Sequence, residues 1–162
     1  MKSNLAFVQT PVGMIRISGT PEYITEVSFV QEPTEPTNEA AFDLIFECRD
    51  QLLAYFEGKR TVFVIPLRQT GTDFQLKVWN ELSLIGFGKT ISYLDLAKKL
   101  NDPKVIRAAA SANGRNQVAI IVPCHRVIGS SGHLVGYAGG LWRKRWLLEH
   151  EQRYAHGLQS LF

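Results

Sequence analysis

The stretch Val118-Ala-Ile-Ile-Val-Pro-Cys-His-Arg-Val-Ile-Gly129 sets a thiol, an imidazole and a guanidinium side by side behind a β-branched apolar run. A strand buried as far as Pro123 would deliver the Cys124 thiol to the rim of a site. Only a few per cent of a free thiol is thiolate at neutral pH, so nucleophilic chemistry needs a cation, a helix N-terminus or a base to remove its proton. His125 is the neighbour in sequence, but successive side chains of an extended segment diverge, so its coupling to Cys124 would run through a turn or a water. Arg126 reads as a phosphate contact or as an internal partner holding the strand-to-helix turn, and we favour the second. By themselves such Cys-His neighbours are more often structural than catalytic. The other cysteine, Cys48, lies among Phe42, Ile45, Phe46, Leu52, Leu53 and Phe56 at helical spacing and reads as a small buried hydrophobe.

The elements around this stretch fall into two parts. Leu5 to Gln9, Met14 to Ser18 and Ile24 to Val30 are short β-rich runs separated by Thr10-Pro11-Val12-Gly13 and Gly19-Thr20-Pro21, which predicts an antiparallel meander. A polar two-proline loop covers 31–38, a helix runs from Glu39 to a stop at Gly58, and Val62 to Leu67 reads as a last strand. Charge and texture change at Gln69-Thr-Gly-Thr72, the predicted boundary. Thr72 or Asp73 caps a helix carrying Phe74, Val78, Trp79 and Leu82, which the Gly86-Phe-Gly88 turn ends. Ser92 caps a short helix, Asn101-Asp-Pro103 makes a turn, and an alanine-rich helix spans about 104–112. Two short helices joined by a tight turn outline a helix-turn-helix. Gly88-Lys89-Thr90 imitates the end of a phosphate-binding loop, but Ser83 stands where that motif needs glycine, which excludes nucleotide hydrolysis.

With 162 residues, 45% hydrophobic and 20% charged, the chain can bury a core, and its 13 Gly and 7 Pro exclude collagen and wholesale disorder. The net charge of +3 hides a split: residues 1–70 carry 6 Lys+Arg against 9 Asp+Glu, net −3, and 71–162 carry 12 against 6, net +6. A basic half fits a polyanion-binding module. The first twenty residues lack an apolar secretory core and no apolar run is long enough to span a bilayer. Two cysteines without C-x-x-C spacing make neither a disulfide framework nor a zinc site, so a reducing cytoplasm is expected.

Pro123-Cys124-His125-Arg126-Val127 resembles the active-site motif of the 6-O-alkylguanine-DNA alkyltransferases, also called methylated-DNA-protein-cysteine methyltransferases. The resemblance extends through Phe74-Gln75, Val78-Trp79, Gly88-x-x-x-Ser92-Tyr93, Arg107-Ala-Ala-Ala, Asn116, Gly136-Tyr137-Ala-Gly-Gly140 and Lys144-x-Trp-Leu-Leu-x-His-Glu151, in order, over about 80 residues. The first 70 residues match weakly, mainly at Thr10-Pro11-Val12-Gly13. The resemblance implies an α+β chain of two small domains: 1–70, an antiparallel sheet with a helix (ribonuclease-H-like) serving as scaffold, and 71–162, a winged helix-turn-helix that binds DNA and accepts the alkyl group.

It further implies repair by direct reversal. An alkyl group passes from the 6-oxygen of guanine to Cys124 after base flipping, once per molecule, in a monomer with no metal, cofactor or obligatory protein partner. The substrate would be double-stranded DNA carrying 6-O-alkylguanine, with 4-O-alkylthymine as a further candidate. By the same resemblance Glu151 orients His125, which takes the Cys124 proton through a water. Tyr93 helps rotate the base and protonate the leaving purine, and Asn116 stabilises the turn between recognition helix and active-site strand. Arg107 fills the space of the flipped nucleotide, with Ala108, Ala109 and Ala110 allowing close approach to the minor groove. Val127, Tyr137, Ala138 and Gly139 contact the base. Gln117 stands where most members have proline, which leaves that hinge without a fixed φ, and Ala138 lacks the hydroxyl of members with serine there. Trp142, Arg143, Lys144 and Arg145 read as a solvated helix face or a phosphate contact. The alternative reading, a non-catalytic protein that binds and flags alkylated bases, is disfavoured by the intact Cys124, since such relatives replace the motif cysteine.

Overall fold

The computed structural model describes residues 4–33 and 41–157, and its chain divides into two compact units, Met1–Gln69 with Gln117–Ala119, and Thr70–Asn116 with Ile120–Phe162. In the first unit β1 (Leu5–Thr10), β2 (Gly13–Gly19) and β3 (Ile24–Val30) form the expected antiparallel meander in the order β1-β2-β3. Its first turn is tight because Thr10 Oγ1 donates to the Gly13 carbonyl at 2.7 Å and Gly13 adopts φ 98°, a region open to glycine. Ile15, Ile17, Ile24 and Val27 are fully buried or nearly so, on alternating positions of β2 and on β3. They share the core with Ile45, Cys48, Leu52 and Tyr55 of helix α1 (Asp43–Phe56), whose buried positions recur every three or four residues. Cys48 is fully buried, as its setting predicts, and burial pushes its thiol up to about 12. The helix starts at Asp43, and the expected start at Glu39 and most of the two-proline loop lie outside the described residues.

Two expected strands do not form. Val62 and Val64 are 66% and 70% exposed, and the segment 60–69 touches the sheet only at its end, where the Ile24 amide donates to the Pro66 carbonyl and Arg68 donates back to Ile24. Pro66 has no N–H to extend a ladder, and Gln51 holds the chain further up by donating to and accepting from the Val64 backbone. The run Val118–Val122 also is not a strand. Val118 makes one bridge to Val27, flanked by Val27 N–H to Gln117 and Ala119 N–H to Val27 hydrogen bonds, all within the first unit. The chain then turns at Ile120, which holds φ 71° with its side chain fully buried. A β-branched residue in that region is strained, and its complete burial is what keeps it there.

The second unit is mostly helical. Helix α2 (Asp73–Leu82) opens with a capping box between Thr72 and Gln75, and α3 (Tyr93–Lys99) with one between Ser92 and Asp95. Between them lies β4 (Ile91–Ser92). A 3-10 turn, Pro103–Val105, leads into α4 (Ile106–Gly114), so α3 and α4 make the helix-turn-helix. Trp79 of α2 donates its indole N–H to the Ala112 carbonyl at 2.9 Å in the core between α2 and α4. Cys124–Arg126 form a single 3-10 turn that runs into β5 (Val127–Ile128), which pairs in parallel with β4. After a glycine-rich loop, helix α5 (Leu141–His156) ends at Gly157 in the left-handed region that favours glycine. No helix among the described residues is long and apolar enough to cross a membrane.

Candidate active site

Every group expected to carry the chemistry belongs to the second unit. Cys124 is 7% exposed at the start of its 3-10 turn, and His125 and Glu151 are 0% and 1% exposed. Although 26 positions apart, they meet: His125 Nε2 lies 2.7 Å from Glu151 Oε2. Arg126 closes on the same carboxylate, with Nε donating to Oε1 at 2.7 Å and Nη2 to Oε2 at 3.1 Å, while Nη1 donates to the Ile85 carbonyl at 2.6 Å. The internal role favoured for Arg126 is therefore the one it takes. Glu151 also accepts from the Gly88 amide at 3.3 Å. Four donors thus converge on one buried carboxylate.

These partners set the protonation states. Burial pushes Glu151 up, but His125 and Arg126 outweigh it and hold the carboxyl well below the usual range, so it is ionised. An ionised carboxylate only accepts, which puts the proton of His125 on Nε2. Burial drives the His125 pKa down against the pull of Glu151, so the ring is neutral and its Nδ1 carries a lone pair. Nδ1 has no hydrogen-bond partner among the described residues. Burial raises the Cys124 thiol, opposed by hydrogen bonding from Asn116, the charge of Lys144 and the hydroxyl of Tyr137. The resting sulfur is a thiol, and His125, the next residue in sequence, is a neutral imidazole with its lone pair on Nδ1.

The supporting elements explain the geometry. Asn116 Nδ2 donates to the Val122 carbonyl at 2.8 Å and closes the chain's excursion through 117–121. Asn113, which the residue pattern left unremarked, donates from Nδ2 to the Cys124 carbonyl at 3.3 Å from the buried face of α4. Gly88 is the second residue missed. Its φ is 77°, and a Cβ there would lie 2.4 Å from the Ala155 Cβ. Its carbonyl accepts from Gln152 at 2.9 Å while its amide reaches Glu151, so the phosphate-loop look-alike is a dock for α5. Lys144 is the third, and it corrects an expectation: it is fully buried rather than part of a solvated basic face. Arg143 is also engaged, donating to the Gly139 carbonyl at 2.8 Å and lying over Trp142, which leaves Arg145 as the exposed cation of that run.

Of the residues expected at a DNA or base contact, Arg107 and Ala108 are exposed on α4, together with Ser111, Gly114 and Arg115. Ala109 is fully buried, and with Ala112 and Asn113 it faces inward, so it belongs to the packing of α4 and not to a groove contact. Val127 is also fully buried, paired with Ile91, and is withdrawn from the surface. Tyr93 donates from Oη to the Val135 carbonyl at 3.1 Å. In the glycine-rich loop Tyr137 is half-buried with its hydroxyl toward Cys124, Ala138 is exposed and Gly139 is buried.

A helix-turn-helix whose outer face carries small side chains and Arg107, in the same unit as a buried Cys124 and a buried His125–Glu151 pair, is the arrangement of a DNA-directed protein with a cysteine acceptor. Residues 73–153 match the 6-O-methylguanine DNA methyltransferase DNA binding domain, and residues 5–69 the ribonuclease-like domain of the same proteins. The methylated-DNA--protein-cysteine methyltransferase of Mycolicibacterium paratuberculosis is 42% identical over 161 residues, covering 96% of each chain, and that of Methanosarcina acetivorans 42% over 150 residues, covering 90% and 96%. Among solved structures, the Mycobacterium tuberculosis O6-methylguanine methyltransferase superposes with a TM-score of 0.84 at 41% identity over 93% of both chains, and the same species' OGT in complex with DNA with 0.83 at 42% over 93% of both. The chain belongs to the 6-O-methylguanine DNA methyltransferase family.

Proposed function

We propose that this protein repairs alkylated DNA directly, by moving the alkyl group from the 6-oxygen of a flipped guanine to Cys124 in one turnover. The observation that carries this reading is the buried series Cys124, His125, Glu151: a thiol kept protonated by burial, a neutral imidazole with one ring nitrogen in hand, and an ionised carboxylate holding the other. Sulfur attacks the alkyl carbon as the thiol proton passes to His125 Nδ1, with a water as relay. An S–C bond forms, the C–O bond breaks, and its electron pair leaves with the purine. The purine takes a proton from Tyr93, whose hydroxyl stays protonated because burial and the nearby sulfur raise its pKa. Tyr93 must first release the Val135 carbonyl.

Asn116 and Tyr137 steady the sulfur, and Ala138 and Gly139 face the base with backbone amides. The thioether has no route back, so each molecule acts once. The −3 half acts as a scaffold that phosphate repels, and the cytoplasm, where thiols stay reduced, suits a reactive cysteine. The protein is incubated with duplex DNA bearing a labelled methyl on guanine 6-oxygen, and the label is located by peptide mass. Label on the peptide ending at Arg126, saturating at about one per chain, is the expected result, and lesion binding without transfer would favour the non-catalytic alternative.

Arg107 is assigned to the space that the flipped nucleotide vacates, because it is exposed at the head of α4 beside Ala108. Extrusion costs a few kcal/mol, so Arg107→Ala is expected to slow transfer from duplex by about tenfold or more while leaving transfer from free 6-O-alkylguanine base unchanged. Parallel rate measurements on the two substrates decide it, and equal losses would remove Arg107 from this role.

A further inference from the structure

The N-terminal turn of α5 carries Arg143, Lys144 and Arg145 in succession, and the fold takes the middle one completely out of solvent. A buried ammonium is costly unless its donors are met. Lys144 Nζ donates to the Val135 carbonyl at 2.9 Å and the Gly136 carbonyl at 3.3 Å, and lies 5.7 Å from the centre of the Tyr93 ring. The same Val135 carbonyl accepts from Tyr93 Oη at 3.1 Å. Helices α3 and α5 and the glycine-rich loop are therefore tied at one carbonyl, two residues before Tyr137, whose hydroxyl faces Cys124. No carboxylate pairs with Lys144 among the described residues, and the group whose charge it senses most is the Cys124 sulfur.

We propose that Lys144 is a positioning residue for alkyl transfer: it clamps the pocket-wall loop through Val135 and Gly136 and provides the positive charge that receives the Cys124 thiolate as its proton departs. This rests on the alkyl-transfer reading above. The titratable groups on the elements packed around it are Tyr93 of α3, Cys124 and His125 of the 3-10 turn, Tyr137 of the loop, and Glu151 two turns along α5. Glu151 is committed to His125 and Arg126, both tyrosines are held protonated by burial, and His125 is neutral. That leaves sulfur as the anion for Lys144 to meet. Burial lowers Lys144 to about 8, with Cys124 pulling the other way, so the ammonium persists at neutral pH and is lost above that value.

The test uses the full chain and Lys144→Met, which keeps an unbranched side chain of similar length and removes the charge. Cys124 carboxamidomethylation by iodoacetamide is followed against pH on the peptide ending at Arg126, alongside single-turnover transfer from methylated duplex, amide exchange over 133–137 and the melting temperature. Loss of a neighbouring cation raises a thiol by about one unit or more, so the alkylation midpoint should rise by about one pH unit and transfer at pH 7 should fall about tenfold. Exchange in 133–137 should quicken while the protein melts no lower than wild type. An unchanged midpoint with a lowered melting temperature would make Lys144 merely structural and overturn the proposal. If the wild type itself transfers nothing, the alkyl-transfer reading fails, whereas the midpoint shift still reports on Lys144. Should Lys144→Met not fold, the Lys144 Cε resonance is titrated in the wild type and in Cys124→Ser. A lower midpoint in the serine variant supports the coupling, and identical midpoints refute it.

Discussion

Cys124→Ala is expected to abolish alkyl transfer completely while leaving the affinity for duplex containing 6-O-methylguanine within a few-fold of wild type. The thiol is the atom that forms the new bond, and no other group in the site replaces it. Cys48 is no substitute, since it is fully buried in α1 and its thiol is pushed up to about 12 by burial and the neighbouring Glu47. In the proposed reading, binding draws on the outer face of α4 and on the backbone of the loop around Tyr137; the substitution leaves both in place and removes only the sulfur that the Tyr137 hydroxyl faces. The structural effect should be small, about 1 kcal/mol, because one buried sulfur is removed and the Asn116 amide keeps its bond to the Val122 carbonyl. Gel-shift titration with lesion-bearing duplex and label transfer on the same preparation give both numbers. Residual transfer would move the acceptor elsewhere, and loss of binding along with transfer would make Cys124 a structural residue.

Much of the fold was legible where local chemistry decides it. The Thr72 and Ser92 caps form as their side chains predict, because each satisfies an amide that the helix leaves open. The meander follows from alternation and the turn at Gly13. What misled was apolar content without neighbours. Val62–Leu67 and Val118–Val122 have strand-forming side chains, yet each finds a sheet partner at a single residue, and a strand exists only where a ladder does.

The site was legible in its order of residues and illegible in its faces. Lys144 looked like one cation among three until its helical spacing is followed: Lys144, Leu147, Leu148 and Glu151 lie at i, i+3, i+4 and i+7, and all four are buried. That period was available in the sequence and points Lys144 and Glu151 to the same side. Ala109, Ala112 and Asn113 repeat the pattern on α4, which is why Ala109 packs inward while Arg107 and Ala108 do not. The Arg126–Glu151 pair had no such signal, since a contact across 25 positions depends on the tertiary fold alone.

That pair makes Glu151→Gln the second substitution with a large expected effect, on stability and chemistry together. The neutral amide cannot offset the charge of the Arg126 guanidinium, which stays buried with one amide oxygen and the Ile85 carbonyl in place of a two-oxygen carboxylate and that carbonyl. Removing one partner of a buried ion pair costs about 3–5 kcal/mol. In the proposed reaction the chemistry suffers separately, because the carboxylate holds the proton of His125 on Nε2 and would support positive charge on the ring as Nδ1 takes the thiol proton. General-base contributions of this kind are worth about 10²- to 10⁴-fold, and the transfer rate should fall into that range. Glu151 is held below its ordinary value, so its stabilisation is complete at neutral pH and fades as pH drops below about 4.5 toward the folded value. The wild type's advantage over Glu151→Gln in chemical denaturation should shrink across that acid range. His125 acts in the same direction: with its folded value below 6.5, acid below that pH favours the unfolded chain. The double variant Arg126→Met, Glu151→Gln separates the two effects. With both charges gone, most of the stability should return, while transfer should stay as slow as in Glu151→Gln. Recovery of the rate with the stability would mean that Glu151 serves only to neutralise Arg126, and His125 would then need no carboxylate to act as the base.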